Sequence, residues 1–331
     1  MIQRRWRAAG ASLAAIALIL SGGVAGAQEA SNQSANGYRI SPIRSELTIE
    51  KGKRETLQVS VENPTQSPAQ VKAVVNNFVA GDDEGGVPRL LLDNEAEQPK
   101  NDFRSLIASE LGELSLGAGE RKSVDVEIAV PEDASAGGYY GAIRFLPATS
   151  ADESTVGLVA SVGSIVLVTV PGDLTEKVSL EQMSAAQEAN PDEFKAKSFI
   201  TSGPVYSQVR LKNTGDIHVK PFGRVEVKNM FGKVVASYEL NGTDPRSNIL
   251  PGTIRAFNDK LEEQKWLGRY TITANIGYSQ GSGDIISAQT SFWYIPKWAA
   301  IVLVVLLVAI VAGVYLLVRR MNGRSRHSSK R

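Results

Sequence analysis

The 331-residue chain contains no cysteine. Disulfides, thiolate metal sites, iron–sulfur clusters and a cysteine nucleophile are therefore excluded. Histidine is nearly missing too, with only His218 and His327. A multi-histidine metal centre has no ligands, and Ser-His-Asp chemistry has little scope. The sequence also lacks a phosphate-cradling glycine loop, a nucleophile–base pair and paired acid–base carboxylates on defined elements. It predicts no enzyme, no catalytic residue, no bound metal and no cofactor. Net charge is small, at +1, but unevenly distributed. Arg4, Arg5 and Arg7 make the beginning basic, and Arg319, Arg320, Arg324, Arg326, Lys330 and Arg331 make the end basic. All 35 acidic residues lie between residues 28 and 318 with the other 27 of the 36 basic ones, which leaves that stretch at −8. An acidic middle argues against nucleic acid as its partner.

Long apolar runs are confined to the two ends. Ala8 to Leu20 is short and apolar, follows the arginines and precedes Ala25-Gly26-Ala27. That order is a signal peptide over residues 1–27, cleaved before Gln28. Trp298 to Val318 carries no charge and exceeds the ~20 residues needed to cross a bilayer. Trp293, Tyr294 and Trp298 form an aromatic belt at its start, and Arg319-Arg320 follow it. The positive-inside rule places residues 319–331 in the cytoplasm as a basic tail. The sequence thus predicts a single-pass type I protein of the cell membrane, with its ectodomain outside and a transmembrane helix at 297–318.

Between the ends the apolar pattern has period two. Leu57-Gln58-Val59-Ser60-Val61, Val124-Asp125-Val126-Glu127-Ile128, Val209-Arg210-Leu211-Lys212 and Val225-Glu226-Val227-Lys228 alternate as half-buried strands do. Asn63-Pro64, Gly85-Gly86, Gly117-Ala118-Gly119, Asn213-Thr214-Gly215 and Pro251-Gly252 punctuate them as turns. Residues 101–114 read as strand and loop rather than a short helix. The pattern repeats once: Asn63 matches Asn213, Leu116-Gly117-Ala118-Gly119 matches Leu250-Pro251-Gly252-Thr253, and Gly138-Tyr139-Tyr140 matches Gly268-Arg269-Tyr270. Two copies of an immunoglobulin-like β-sandwich follow, over residues 38–171 and 172–295, divided at Pro171-Gly172-Asp173. Residues 28–37 are polar and turn-rich and read as a disordered leader. The fold class is all-β: two tandem immunoglobulin-like sandwiches followed by one transmembrane helix.

Candidate sites are few. Asp82-Asp83-Glu84 lacks the spacing of a calcium loop and reads as a solvated acidic hairpin tip, with Asp93, Glu95 and Glu97 extending it. His218 reads as structural. Ser184 to Glu193 reads as a long hairpin connection. Asn32 and Asn241 match the glycosylation pattern, which matters only in a host that uses it. Tyr139, Tyr140, Phe145 and Tyr206 offer rings on which a sugar stacks, but alternation puts Tyr139 and Tyr140 on opposite faces of one strand. One is core and the other is the candidate ligand contact.

Several stretches resemble the WxL-interacting proteins of Gram-positive-type cell surfaces. They are Ile40-Ser41-Pro42, Val59-Ser60-Val61-Glu62-Asn63-Pro64, Val130-Pro131-Glu132-Asp133 and Gly137-Gly138-Tyr139-Tyr140-Gly141-Ala142-Ile143-Arg144-Phe145, with Val209 to Gly215 as a looser match in the second unit. The aromatic expected before the Gly-rich turn is Phe103. The resemblance implies a peptidoglycan-binding first sandwich and a second that binds a secreted WxL-type protein. It implies a membrane-anchored surface scaffold that binds cell-wall glycan, a secreted surface protein, or both. The alternative reading is a non-catalytic β subunit of a membrane secretion or adhesion assembly.

Overall fold

The computed structural model describes residues 37–92, 99–148, 162–187, 194–261, 266–278 and 285–325. The expected signal peptide, nearly all of the leader, and Asp93, Glu95 and Glu97 lie outside the described residues. From Tyr38 onward the chain forms one compact unit.

The first nine strands are β1 (Arg39–Ser41), β2 (Arg44–Thr48), β3 (Arg54–Glu62), β4 (Ala69–Ala80), β5 (Pro88–Leu90), β6 (Glu113–Leu116), β7 (Arg121–Ala129), β8 (Gly137–Pro147) and β9 (Val162–Val170). They form two sheets. One has the order β1-β3-β7, and the other β2-β9-β8-β4-β5 with β6 also paired to β4. The next eight are β10 (Val178–Ala186), β11 (Phe199–Ile200), β12 (Tyr206–Asn213), β13 (Phe222–Lys228), β14 (Val234–Leu240), β15 (Ile254–Lys260), β16 (Gly268–Gly277) and β17 (Ile285–Tyr294). Their sheets are ordered β10-β12-β15 and β11-β17-β16-β13-β14. The topology occurs twice. In each copy the first strand joins one sheet, and the chain then crosses to pair in parallel with the last strand of the other, as β2 on β9 and β11 on β17.

Each sandwich has its own core. Val59, Val61, Val126 and Ile128 face Val71, Ile143, Phe145, Val166 and Val168 in the first. Val209, Leu211 and Phe257 face Val225, Val227, Ile272, Ala274 and Phe292 in the second. These are the apolar members of the alternating runs. Period-two spacing sends them to one side of each strand, and burying that side drives the two sheets together.

The repeat extends to single hydrogen bonds. Asn63 and Asn213 are fully buried at the ends of β3 and β12. Asn63 Nδ2 donates to the Ser67 and Gly117 carbonyls, while its Oδ1 accepts from the Thr65 N–H. Asn213 Nδ2 donates to the Ile217 and Ile249 carbonyls, and its Oδ1 accepts from the Gly215 N–H. One amide thus satisfies three backbone groups of a buried turn in each copy, and each left unmade costs about 1–3 kcal/mol.

The aromatic end of the repeat is displaced by one residue from the sequence alignment. Tyr139 donates to the Ser135 carbonyl at 3.0 Å, and Tyr270 donates to the Trp266 carbonyl at 3.0 Å. Both face a core. Tyr139, not Tyr140, is therefore the equivalent of Tyr270. Matching on glycine plus aromatic ignored the face each ring occupies.

Residues 101–114 are loop and strand as expected except for one short turn. Phe103–Leu106 form a 3-10 turn before β6 begins at Glu113. Asp102 accepts from the Arg104 N–H to cap it, and Phe103 and Leu106 are its buried residues. Ser184 to Ala186, expected in a connection, end β10 and are buried. Residues 188–193 of that stretch lie outside the described residues. Asn241 is buried as well, its Nδ2 donating to the Pro221 and Ser247 carbonyls. That leaves no free amide for a glycan.

After β17 the chain runs through Ile295 and Pro296 into the helix α1 (Lys297–Ser325). Within it, Lys297–Arg320 is long and apolar enough to cross a membrane. The helix extends past Val318, the end expected from hydropathy, because Arg319, Arg320 and Met321 are good helix formers.

Candidate functional site

The outer face of the β2-β9-β8-β4-β5 sheet presents Phe78, Ala142 and Leu167, all buried. Loops of the second sandwich cover this face. Arg44, Phe78, Ile165 and Leu167 line one small cavity together with Asn248, Ile249, Leu250 and Arg255. A sheet apolar on both sides needs a cover on both sides, and here the second copy supplies it.

Polar contacts surround the apolar contact. Arg44 donates to the Arg246 carbonyl at 2.7 Å and pairs with Glu46 at 2.9 Å. Glu46 also pairs with Lys220 and accepts from Asn248 Nδ2 at 3.2 Å. Burial alone raises its carboxyl, but Lys220, Asn248 and Arg44 outweigh that and hold it below the ordinary glutamate range. On the far side, Glu84 takes both arms of the Arg210 guanidinium, with Nε at 2.6 Å, and its backbone carbonyl accepts from the Ala256 N–H at 2.8 Å. Asp82 and Asp83 are exposed, as expected of an acidic hairpin tip, whereas Glu84 clamps the second sandwich. No group of acidic, histidine or cysteine residues able to hold a metal occurs among the described residues.

The Arg210–Glu84 pair gives a direct test of this clamp. Both side chains keep about a quarter to a third of their exposure, so the charge term is partly screened. A double-mutant cycle with Arg210→Ala and Glu84→Ala should give a coupling of about 1 kcal/mol, read from urea unfolding. Purely additive losses would mean that the two residues do not act together.

The predicted tyrosines separate as alternation requires, but neither ring lies on an open surface. Tyr139 is in the first core, with burial raising its phenol's pKa above the usual tyrosine range. Tyr140 points the other way, into the junction. Its ring sits 5.9 Å from Phe78 and 5.6 Å from His218, centroid to centroid. Its hydroxyl accepts from the His218 backbone N–H at 3.0 Å and lies 3.4 Å from Nδ1. Phe145 is fully buried in the core, and Tyr206 is half-buried on β12. Tyr140 is thus the outward ring of the pair, and it is partly covered because the face opposite the core is the docking face.

Beside Tyr140 the junction opens into a cleft of about 580 Å³. The first sandwich contributes Phe78, Asp82, Arg89, Lys100, Asn101, Gly138 and Tyr140, and the second contributes Asp216 and Leu250 to Thr253. The 3-10 turn positions the Lys100-Asn101 wall. Asn77, buried on β4, donates Nδ2 to Asp102 at 2.7 Å and accepts from the Phe103 N–H at 2.9 Å. Asn101 Nδ2 donates to the Gly138 carbonyl at 3.0 Å. Phe103 packs against Gly141, where a Cβ would overlap its ring. The cleft thus offers amide, ammonium, guanidinium and carboxylate groups beside an apolar floor. These are hydrogen-bonding partners for a hydroxyl- and amide-rich chain. Sequence reasoning found Tyr140 but missed Lys100 and Asn101. The signal available was the Asn-Asp-Phe triplet, which reads as a capped turn leading into a core aromatic.

Two clamped sandwiches with an open polar cleft are joined to a helix long and apolar enough to cross a membrane. Residues 45–146 match the family model described as WxL Interacting Protein, peptidoglycan binding domain. Over that stretch the chain is similar to the WxL-interacting proteins, and the match together with the apolar helix fits a cell-surface binding protein. No curated protein matches the sequence. Among solved structures, the Class 5 fimbriae chaperone CfaA is 10% identical, with a TM-score of 0.38 over 77% of this chain and 99% of that one. The E. coli chaperone DraB is 11% identical, with a TM-score of 0.35 over 78% and 96%. A PapD-like domain of human CEP192 is 13% identical, with a TM-score of 0.27 over 41% and 86%.

Proposed function

We propose that this chain is a membrane-anchored scaffold that binds peptidoglycan through its first sandwich and holds a secreted WxL-type protein through its second. The proposal assigns residues 38–171 to wall binding and residues 172–295 to the protein partner. It takes the chain as type I, with the signal peptide removed, the sandwiches outside and the basic end inside. The carrying observation is that most of the cleft wall, from Phe78 to Tyr140, comes from the stretch matching the peptidoglycan-binding family. The mixed charge of Arg89, Lys100, Asp82 and Asp216 suits the hydroxyls, amides and carboxylates of glycan strands and their peptide stems. Tyr140 acts at the edge of this cleft, closing its floor.

Detergent-solubilised full chain, mixed with insoluble peptidoglycan and sedimented, tests the reading. Wild type should pellet with the wall. Arg89→Ala with Lys100→Ala should weaken retention about tenfold or more, since a charge-assisted hydrogen bond is worth roughly 1.5–3 kcal/mol. Lys122→Ala, in a separate cleft of about 590 Å³ beside Tyr38 and Ser115, should leave retention unchanged. Wild type remaining in the supernatant would end the glycan reading. Loss confined to Lys122→Ala would move the site to that other cleft.

A further inference from the structure

The second sandwich has two ends. The loops at residues 214–221 and 241–253 dock on the first sandwich, as described above. The opposite end carries the β13–β14 turn, the start of β16 and the exit into α1. Here the surface is apolar. Phe231 is 86% exposed and Trp266 72%, with Met230 and Leu267 beside them. Together with Val235, Gly268 and Tyr270 they line an open hollow of about 330 Å³.

This exposure is built into the turn. Asn229 Oδ1 accepts from the N–H groups of both Phe231 and Lys233 at 3.0 Å, and Gly232 supplies the left-handed residue at φ +79°. The turn therefore presents Phe231 outward while its backbone is satisfied. Register fixes the level of these residues. Lys228 pairs with Thr271, and continuing that antiparallel count brings Phe231 level with Gly268. Gly268 is paired with Tyr294, and α1 begins three residues later at Lys297. At ~3.3 Å per extended residue, that leaves about 10 Å between this level and the start of the helix. The link is not slack: the Ile295 N–H donates to the Ile200 carbonyl at 2.8 Å, and Pro296 and Ala299 are buried. On the neighbouring edge the paired residues Phe199 and Trp293 are also exposed.

We propose that this end of the second sandwich rests on the membrane, with Phe231 and Trp266 inserted at the boundary between headgroups and acyl chains. The inference rests on the reading of α1 as a transmembrane span. A short, hydrogen-bonded link brings the apolar end to within a headgroup layer of the hydrocarbon. The Trp266 indole, apolar with an N–H at its edge, is the kind of side chain that favours that layer, and Phe231 adds apolar area beside it. Lys233 and Lys297 flank the rings at the height of lipid phosphates. The lipid surface thus becomes the cover for side chains that the sandwich leaves open, and it sets the angle at which the outer sandwich and its cleft stand above the membrane.

The natural absence of cysteine makes the test direct. Full chain carrying Lys233→Cys is spin-labelled and reconstituted in phosphatidylcholine–phosphatidylglycerol vesicles. Collision with dissolved oxygen is then compared with collision with a polar nickel chelate. Leu307→Cys reports the span, and Lys51→Cys, on an exposed turn of the first sandwich, reports water. The Lys233 label should show an oxygen-to-nickel ratio several-fold above that of Lys51 and below that of Leu307. Adding Phe231→Ser and Trp266→Ser should return it to the aqueous value. A Lys233 label that matches Lys51 while Leu307 reads as lipid overturns the proposal and leaves the patch to a protein. So does an immersed Lys233 label that ignores the two serine substitutions. An aqueous Leu307 label overturns the span, and the inference with it.

Discussion

Phe103→Ala should destabilise the first sandwich by about 3–5 kcal/mol, the range for truncating a large buried aromatic ring. The ring is fully buried and fills the space left by the missing side chain of Gly141, so its loss opens a cavity between β8 and the 3-10 turn. The turn also carries Lys100 and Asn101, so wall binding should weaken in step with stability. Urea unfolding read for midpoint and slope measures the first effect. Gly141→Ala should act in the opposite sense, by crowding the ring, and cost about 1–3 kcal/mol. Combining Gly141→Ala with Phe103→Leu should recover part of either loss. A Phe103→Ala loss under 1 kcal/mol would show that the ring does not anchor the turn.

Acid should weaken the junction through His218. Burial lowers its pKa from 6.5 to about 4; the Glu46 carboxylate pulls it up, and Lys220 and Arg44 push it further down. The hydroxyl of Tyr140 is placed to donate to Nδ1, which leaves the single N–H of the neutral ring on Nε2, facing Glu46 at 4.0 Å. A lowered histidine pKa means that the unfolded chain binds the extra proton first. Its stabilising contribution is full above pH 6.5 and is lost as pH falls from 6.5 to 4, amounting to about 3 kcal/mol. Asp259 opposes it, since burial raises its carboxyl to about 6. That group favours the folded state as pH falls through the same window. The measurement is therefore a difference: unfolding free energy at pH 7 minus that at pH 4.5, for wild type and for His218→Gln. Wild type should lose more than the variant by about 2–3 kcal/mol. Equal losses would mean that His218 is not held neutral by the junction.

Much of each sandwich was legible residue by residue. Val59 and Val61, or Val225 and Val227, alternate with polar neighbours, and that spacing alone assigns them to a core. Asn63 and Asn213 were visible as repeated turn markers, though not as the buried amides that satisfy those turns. The one-residue slip between Tyr140 and Tyr270 shows where motif matching falls short of face assignment. The run from Ile165 to Val170 carried an unread signal, because it is apolar on both faces and a strand of that kind is covered twice. Reading it so would have placed Tyr140 and Phe78 beneath a neighbour rather than on an open surface.

The sequence by itself determined the all-β sandwiches, the duplicated unit and the apolar helix, because each depends on local periodicity or on length against a bilayer. Only the tertiary structure decided that Glu84 clamps Arg210, that His218 and Tyr140 meet, that Lys100 and Asn101 wall a cleft, and that Phe231 and Trp266 gather beside the helix. Those partners are separated by up to 126 residues, and their meeting depends on how one sandwich docks on the other and on strand register. No periodicity within a single strand encodes either.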